Sequence, residues 1–152
     1  LVGSEMCIRD SSNTAYTFDI NQITIEEKKE WFHQFKNSET SICLVGYEND
    51  DLVGFVCSTK FREKEAYNQS LETSVYISEK FKGRGFGKKL MFELITRLKS
   101  TNIKNLYALI TYPNKTSINL HKTLNFTKVG ILNNVGYKFK KYWSVHIYEL
   151  KL

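Results

Sequence analysis

Apolar residues recur at two different spacings along this chain, and the alternation between them predicts a mixed α/β fold. Thr24-Ile25-Glu26-Glu27 is a capping box, and the helix it opens spaces Trp31, Phe32 and Phe35 toward a core. Two β-rich runs, 42–47 and 52–60, flank Asn49-Asp50-Asp51, a hairpin signal. Residues 71–78 form a further strand that enters a glycine-rich turn. The period then lengthens to that of a helix, with Leu90, Met91, Leu94, Ile95 and Leu98 on one side. Lys88, Lys89, Arg97 and Lys99 lie elsewhere on it, as on a solvated face. Residues 106–111 read as a buried strand, Asn114 as the N-cap of a helix to about Leu124, and 126–150 as two last strands. No repeat or linker interrupts this pattern.

At 152 residues, the chain is long enough for one well-buried core and too short for two ordinary domains. An excess of 22 Lys and Arg over 16 Asp and Glu gives a net charge of +6. That favours a polyanionic partner without choosing among phosphate ligands, nucleic acid and membrane surfaces. Cys7, Cys43 and Cys57 are odd in number and form no C-x-x-C pair, so neither a disulfide framework nor a metal site is expected, and a reduced, cytoplasmic setting is the default. No apolar run reaches the roughly 18 residues of a membrane span. Tyr142 and Trp143 are aromatic and the chain is basic, but no RNA or DNA motif accompanies them.

The chemistry concentrates where the 71–78 strand ends. Val75-Tyr76-Ile77-Ser78 is followed by Lys82-Gly83-Arg84-Gly85-Phe86-Gly87-Lys88. Glycines let the backbone approach a ligand, and the N–H groups and dipole of the following helix converge on the same point, which makes an anion cradle. A dinucleotide fingerprint would place an acidic residue about 20 positions on, where Ile103 and Lys104 stand. A Walker loop would follow Gly87-Lys88 with a hydroxyl, and Lys89 has none.

What remains resembles the acetyl-CoA-binding turn of the GNAT N-acetyltransferases, with Lys82 where that family usually has Arg or Gln. The runs KFREKEAYNQSLETSVY (60–76), NKTSINLHKTLNF (114–126) and VGYKFKKY (135–142) follow in the order seen in the phosphinothricin and methionine sulfone (sulfoximine) N-acetyltransferase branch. The resemblance implies an α/β (α+β) GNAT fold with a mixed central sheet flanked by helices, acetyl-CoA as co-substrate, a small-molecule amine or amino-acid acceptor, and a homodimer. Nucleic acid and membrane are not expected partners. Residues 1–12 match nothing in the family and look like translated adapter sequence, so the domain is taken as 13–152, lacking the N-terminal strand and part of the first helix.

The same resemblance assigns site residues. Lys82, Gly83, Arg84, Gly85, Phe86, Gly87 and Lys88 would hold the cofactor's phosphates, with the backbone of Val75, Tyr76 and Ile77 and the side chain of Asn114 along its arm. Glu72 would take the acceptor's ammonium proton, since only a neutral amine attacks a thioester. The bland alternative for Glu72 is a carboxylate in a surface salt bridge. His121 would donate a proton to the leaving thiolate or orient the substrate. Arg62, Glu63, Lys64 and Tyr67, with Glu72, Thr73 and Ser74, would form the acceptor site, Arg62 and Lys64 binding its acidic groups. Asn125 and Lys140 replace family glycines, and Ser144 replaces an aspartate. The rival readings are another amine acceptor, such as a polyamine or protein N-terminus, and a non-catalytic CoA- or nucleic-acid-binding protein. Cations at Arg62 and Lys64 oppose the polyamine.

Overall fold

The computed structural model describes residues 14–20 and 24–152. The expectations for residues 1–12, for Cys7, for the domain start at residue 13 and for an N-terminal strand and helix lie outside the described residues. Within them, six strands form one mixed sheet in the order β1-β2-β3-β4-β6-β5. They are β1 (Cys43–Glu48), β2 (Asp51–Lys60), β3 (Ser70–Ile77), β4 (Asn105–Tyr112), β5 (Thr127–Lys138) and β6 (Lys141–Lys151). Three α-helices accompany them among the described residues: α1 (Ile25–His33), α2 (Phe86–Leu98) and α3 (Lys115–Thr123).

Each face of the sheet has its own cluster. Met91, Leu94 and Leu98 of α2 are fully buried against Val56, Leu71, Leu106 and Ala108, with Ile118 and Leu120 of α3 at the margin. Burying each such side chain stabilises by about 1.5–3 kcal/mol. The opposite face carries Phe55 and Cys57 beneath Trp31 of α1 and Phe35 of the turn that follows it. The Thr24–Glu27 capping box forms, Thr24 Oγ1 accepting from the Glu27 N–H at 3.2 Å. Trp31, Phe32 and Phe35, however, are only half-buried, and the buried residue of α1 is Lys28, whose Nζ lies 4.0 Å from the Trp31 ring centroid. An aliphatic stem ending over an aromatic face lets a charged residue fill that position.

Two of the departures from the family's glycines acquire a physical meaning. Asn125 follows α3 at φ 66°, a left-handed conformation that asparagine tolerates. Lys140 sits at φ 57° beside Phe139 at φ 55°, in the two-residue turn between β5 and β6. Only glycine adopts that conformation without cost. Lys140→Gly should therefore stabilise the fold by about 1 kcal/mol and raise its thermal midpoint by roughly 2–4 °C, read by calorimetry. Ser144 Oγ accepts the Asn134 N–H at 3.1 Å, pinning an irregular stretch of β5.

Candidate active site

β3 and β4 run parallel and share a ladder only at Ser70, Leu71 and Glu72 with Asn105, Leu106 and Tyr107. Beyond Glu72 and Tyr107 the two strands part. At the split, the buried Thr73 hydroxyl donates to the Tyr107 carbonyl at 3.2 Å, in place of a ladder bond. A cavity of about 370 Å³ opens in the gap, lined by Thr73, Ser74, Val75, Tyr76 and Ile77 on one side and by residues 108–111 on the other. Its far end reaches the glycine turn, and α3 contributes Ser117, Leu120 and His121, with Asn114 from its N-cap.

The turn has the form expected of an anion cradle. Gly83 and Gly85 have φ of 75° and 81°, and a Cβ built on either meets nothing within 4 Å. Gly85 caps α2 without any side-chain hydrogen bond, and the first helical bond is from the Lys89 N–H to the Gly85 carbonyl at 3.2 Å. The N–H groups of the first turn thus face outward with no capping side chain. Gly87 is small for another reason: its Cβ would meet Leu120 at 3.3 Å and Ile77 at 3.5 Å, so it governs packing, with no positive φ. Lys82 Nζ lies 2.7 Å from Glu79 Oε2 and Arg84 Nη2 lies 2.8 Å from Glu48 Oε1, both exposed pairs that a phosphate can replace at little cost. Lys88 is exposed, whereas Phe86 packs edge-on against Phe81. The Tyr76 ring stacks on Phe55, so its expected contribution to the cavity falls to its backbone.

On α3, Asn114 Oδ1 accepts the Ser117 N–H at 3.1 Å, which leaves its amide NH₂ to donate. His121 is 2% exposed, and its Nδ1 lies 2.8 Å from the Ser117 carbonyl. A carbonyl only accepts, so Nδ1 carries the proton and Nε2 is left as an acceptor. That buried Nε2 has no hydrogen-bond partner in the described structure, and burial lowers the pKa of the ring, keeping it neutral. A neutral imidazole whose one N–H is committed to Ser117 is a poor proton donor. Of the two expected roles of His121, this tautomer favours orienting the substrate over donating a proton.

Glu72 is half-buried at the last position where β3 pairs with β4. Burial pushes its carboxyl above the ordinary range, while the Arg62 guanidinium pulls it down. Arg62 lies over the Phe61 ring, which stacks on Tyr107 at 4.4 Å. Glu63, Lys64 and Tyr67 are exposed, Tyr67 in a 3-10 turn, Glu65–Tyr67, with its ring edge-on to Phe61. The sequence-predicted residues thus fall into two groups. Those of the turn except Arg84, of β3 from Thr73 onward, and Asn114 and His121 line the cavity, whereas Arg84, Arg62, Glu63, Lys64, Tyr67 and Glu72 lie outside its lining. Ser117, which fixes the His121 tautomer, and Tyr16, which lines the cavity from the start of the described chain, were not singled out from sequence. Tyr16 stands in a family-like NTAYTF run, the one signal available for it.

No helix among the described residues is long and apolar enough to cross a membrane, and no group of three or more His, Cys, Asp or Glu among them is placed to hold a metal ion. The acetyltransferase (GNAT) domain family matches residues 4–147. A phosphinothricin N-acetyltransferase of Streptomyces coelicolor is 35% identical over 141 residues, covering 91% of this chain and 82% of its own. An L-methionine sulfoximine/L-methionine sulfone acetyltransferase of Pseudomonas aeruginosa is 25% identical over 140 residues, 92% of this chain and 81% of its own. Among solved structures, a putative acetyltransferase from Salmonella typhimurium with its cofactor acetyl-CoA superposes with a TM-score of 0.93 at 25% identity, covering 98% of this chain and 86% of that one.

Proposed function

This chain belongs to the GNAT family of acetyltransferases, and we propose that it transfers the acetyl group of acetyl-CoA to the amino group of a small amino-acid-like acceptor, of the phosphinothricin or methionine sulfone or sulfoximine type. The observation that carries this reading is the parting of β3 and β4 at Glu72 and Tyr107, with a glycine cradle at the far end of the gap.

Acetyl-CoA fits the residues present, because open space lies where side chains at Gly83 and Gly85 would project and the N-terminus of α2 has no side-chain cap. When bound, it supplies a thioester carbonyl open to attack by a neutral amine. The turn's N–H groups, with Lys82 and Lys88, hold phosphates; the β3 edge at 75–77 and the Asn114 amide hold the arm. Glu72 takes a proton from the acceptor's ammonium, and its raised proton affinity suits a base working near neutrality. His121 stands in the cavity lining, where its ring would orient the substrate.

Charge pairing supports this acceptor class. An amino acid carries an ammonium and a carboxylate on one carbon, and Glu72 and Arg62 stand within electrostatic reach of one another to receive them. The test is a screen of amino acids and analogues, polyamines and peptide N-termini that follows release of free CoA. Turnover confined to amino acids is expected, and turnover confined to polyamines or peptides overturns the acceptor assignment. Arg62→Ala should raise the acceptor KM roughly 10–100-fold, the loss of about 1.5–3 kcal/mol from one charge-assisted hydrogen bond, with acetyl-CoA affinity unchanged. Because Arg62 holds the Glu72 carboxyl down, its loss should also move the acid limb of activity to higher pH. Equal losses for both substrates would make the loop structural.

A further inference from the structure

The Gly136-Tyr137-Lys138-Phe139 segment has no part in the site as drawn, yet strand register gives it one. Gly136 pairs with Trp143 on β6, whose residues Val145 and Glu149 pair with Thr111 and Tyr107 on β4. Opposed residues share a face of the sheet, as do residues two apart on one strand. Tyr107 in turn pairs with Glu72. Gly136 and Lys138 therefore stand on the face of Glu72, away from α3 and from α2, whose N-terminus forms the anion cradle.

The start of the described chain lies on that same face. Lys138 Nζ, on a residue only 6% exposed, donates to the Thr17 carbonyl at 2.8 Å. A Cβ on Gly136 would come within 2.3 Å of the Phe18 ring, so glycine alone lets Phe18 lie against β5. Ala15 and Thr17 are buried, and the Thr17 hydroxyl donates to Asp19 Oδ2 at 2.7 Å. Tyr16, between the two buried residues, is 50% exposed and lines the cavity with Thr73, Ser74 and His121.

We propose that residues 14–18 form a strap held down by Gly136 and Lys138, and that Tyr16 on this strap closes the acceptor side of the cavity as a specificity-determining residue. Lys138 is a positioning residue that acts through it. This rests on the acceptor reading above. The chemistry of the ring suits an amino-acid acceptor with an oxidised side-chain end: its face covers the aliphatic portion, and its hydroxyl donates to sulfone or phosphinate oxygens.

The test uses the full chain and two kinds of measurement. In Lys138→Met, which keeps the stem and removes the donor, amide hydrogen exchange in peptides covering residues 14–20 should accelerate, while Lys138→Arg, still a donor, should restore protection. Acceptor KM should rise about tenfold in Lys138→Met, with acetyl-CoA affinity by calorimetry within about twofold of the parent. Tyr16→Ala should raise acceptor KM and reorder the preference among acceptors, and Tyr16→Phe should retain most of the preference for apolar side chains. Unchanged exchange in a folded Lys138→Met protein overturns the strap. An unchanged acceptor ranking in Tyr16→Ala, or a parallel fall in acetyl-CoA affinity, overturns the role of Tyr16, and this variant of a half-exposed side chain carries the test if Lys138→Met does not fold. A parent protein that acetylates no amino acid refutes the acceptor reading and the role of Tyr16 with it, while the exchange result still decides the strap.

Discussion

Gly85→Val should reduce acetyl-CoA affinity by at least about 10²-fold in a protein that remains folded. Two costs act together. Valine at φ 81° pays about 1–3 kcal/mol of backbone strain unless the turn rearranges, and rearrangement moves the N–H groups at the start of α2. Its methyl groups would also project into the open space before the helix, where the phosphates are proposed to lie. Each charge-assisted hydrogen bond forfeited costs about 1.5–3 kcal/mol, so two suffice for the expected loss. Gly87→Ala provides the contrast. Its Cβ presses on Leu120 at 3.3 Å, inside the protein, and should perturb α2–α3 packing more than anion binding. Calorimetric titration of both variants with acetyl-CoA separates the two effects, and undiminished affinity in folded Gly85→Val would remove the turn from the cofactor site.

What was legible in the sequence is what local chemistry dictates. The Thr24 capping box, the Asn114 cap and the apolar side of α2 depend on residues three or four apart, and all three form. The left-handed turn residue at Gly85 is equally local. The cavity is not, because it exists where two parallel strands stop pairing. Glu72 and Tyr107 each look like ordinary strand residues, and nothing in either run marks them as the last shared position. Longer-range features were further out of reach. Lys138 and Thr17 are 121 positions apart, and only the folded register shows that a matched GYKF run holds down the start of the described chain. The His121 tautomer depends on the Ser117 carbonyl one helical turn earlier, a backbone group without any sequence signature. Lys28 was assigned to no core, since its burial requires the Trp31 ring beneath its Nζ.

Glu72→Gln should lower turnover by roughly 10²–10⁴-fold at neutral pH with little change in acetyl-CoA affinity, because the amide keeps the shape of the carboxylate and cannot take a proton. Loss of folding will not explain that result. Burial raises the folded-state pKa of Glu72, so its ionised form opposes folding, and the stability it contributes falls as pH rises through the carboxylate range. At neutral pH the neutral glutamine removes that cost and should leave the protein at least as stable. The pH dependence then identifies the role. In the parent protein, activity should rise through an acid limb lying above the usual carboxylate range, and this limb should vanish in Glu72→Gln. The remaining activity should climb further as pH rises and more of the acceptor arrives as neutral amine, so the gap between the two proteins should narrow. A gap constant with pH would make Glu72 a positioning group, and near-parental turnover at neutral pH would remove it from the chemistry.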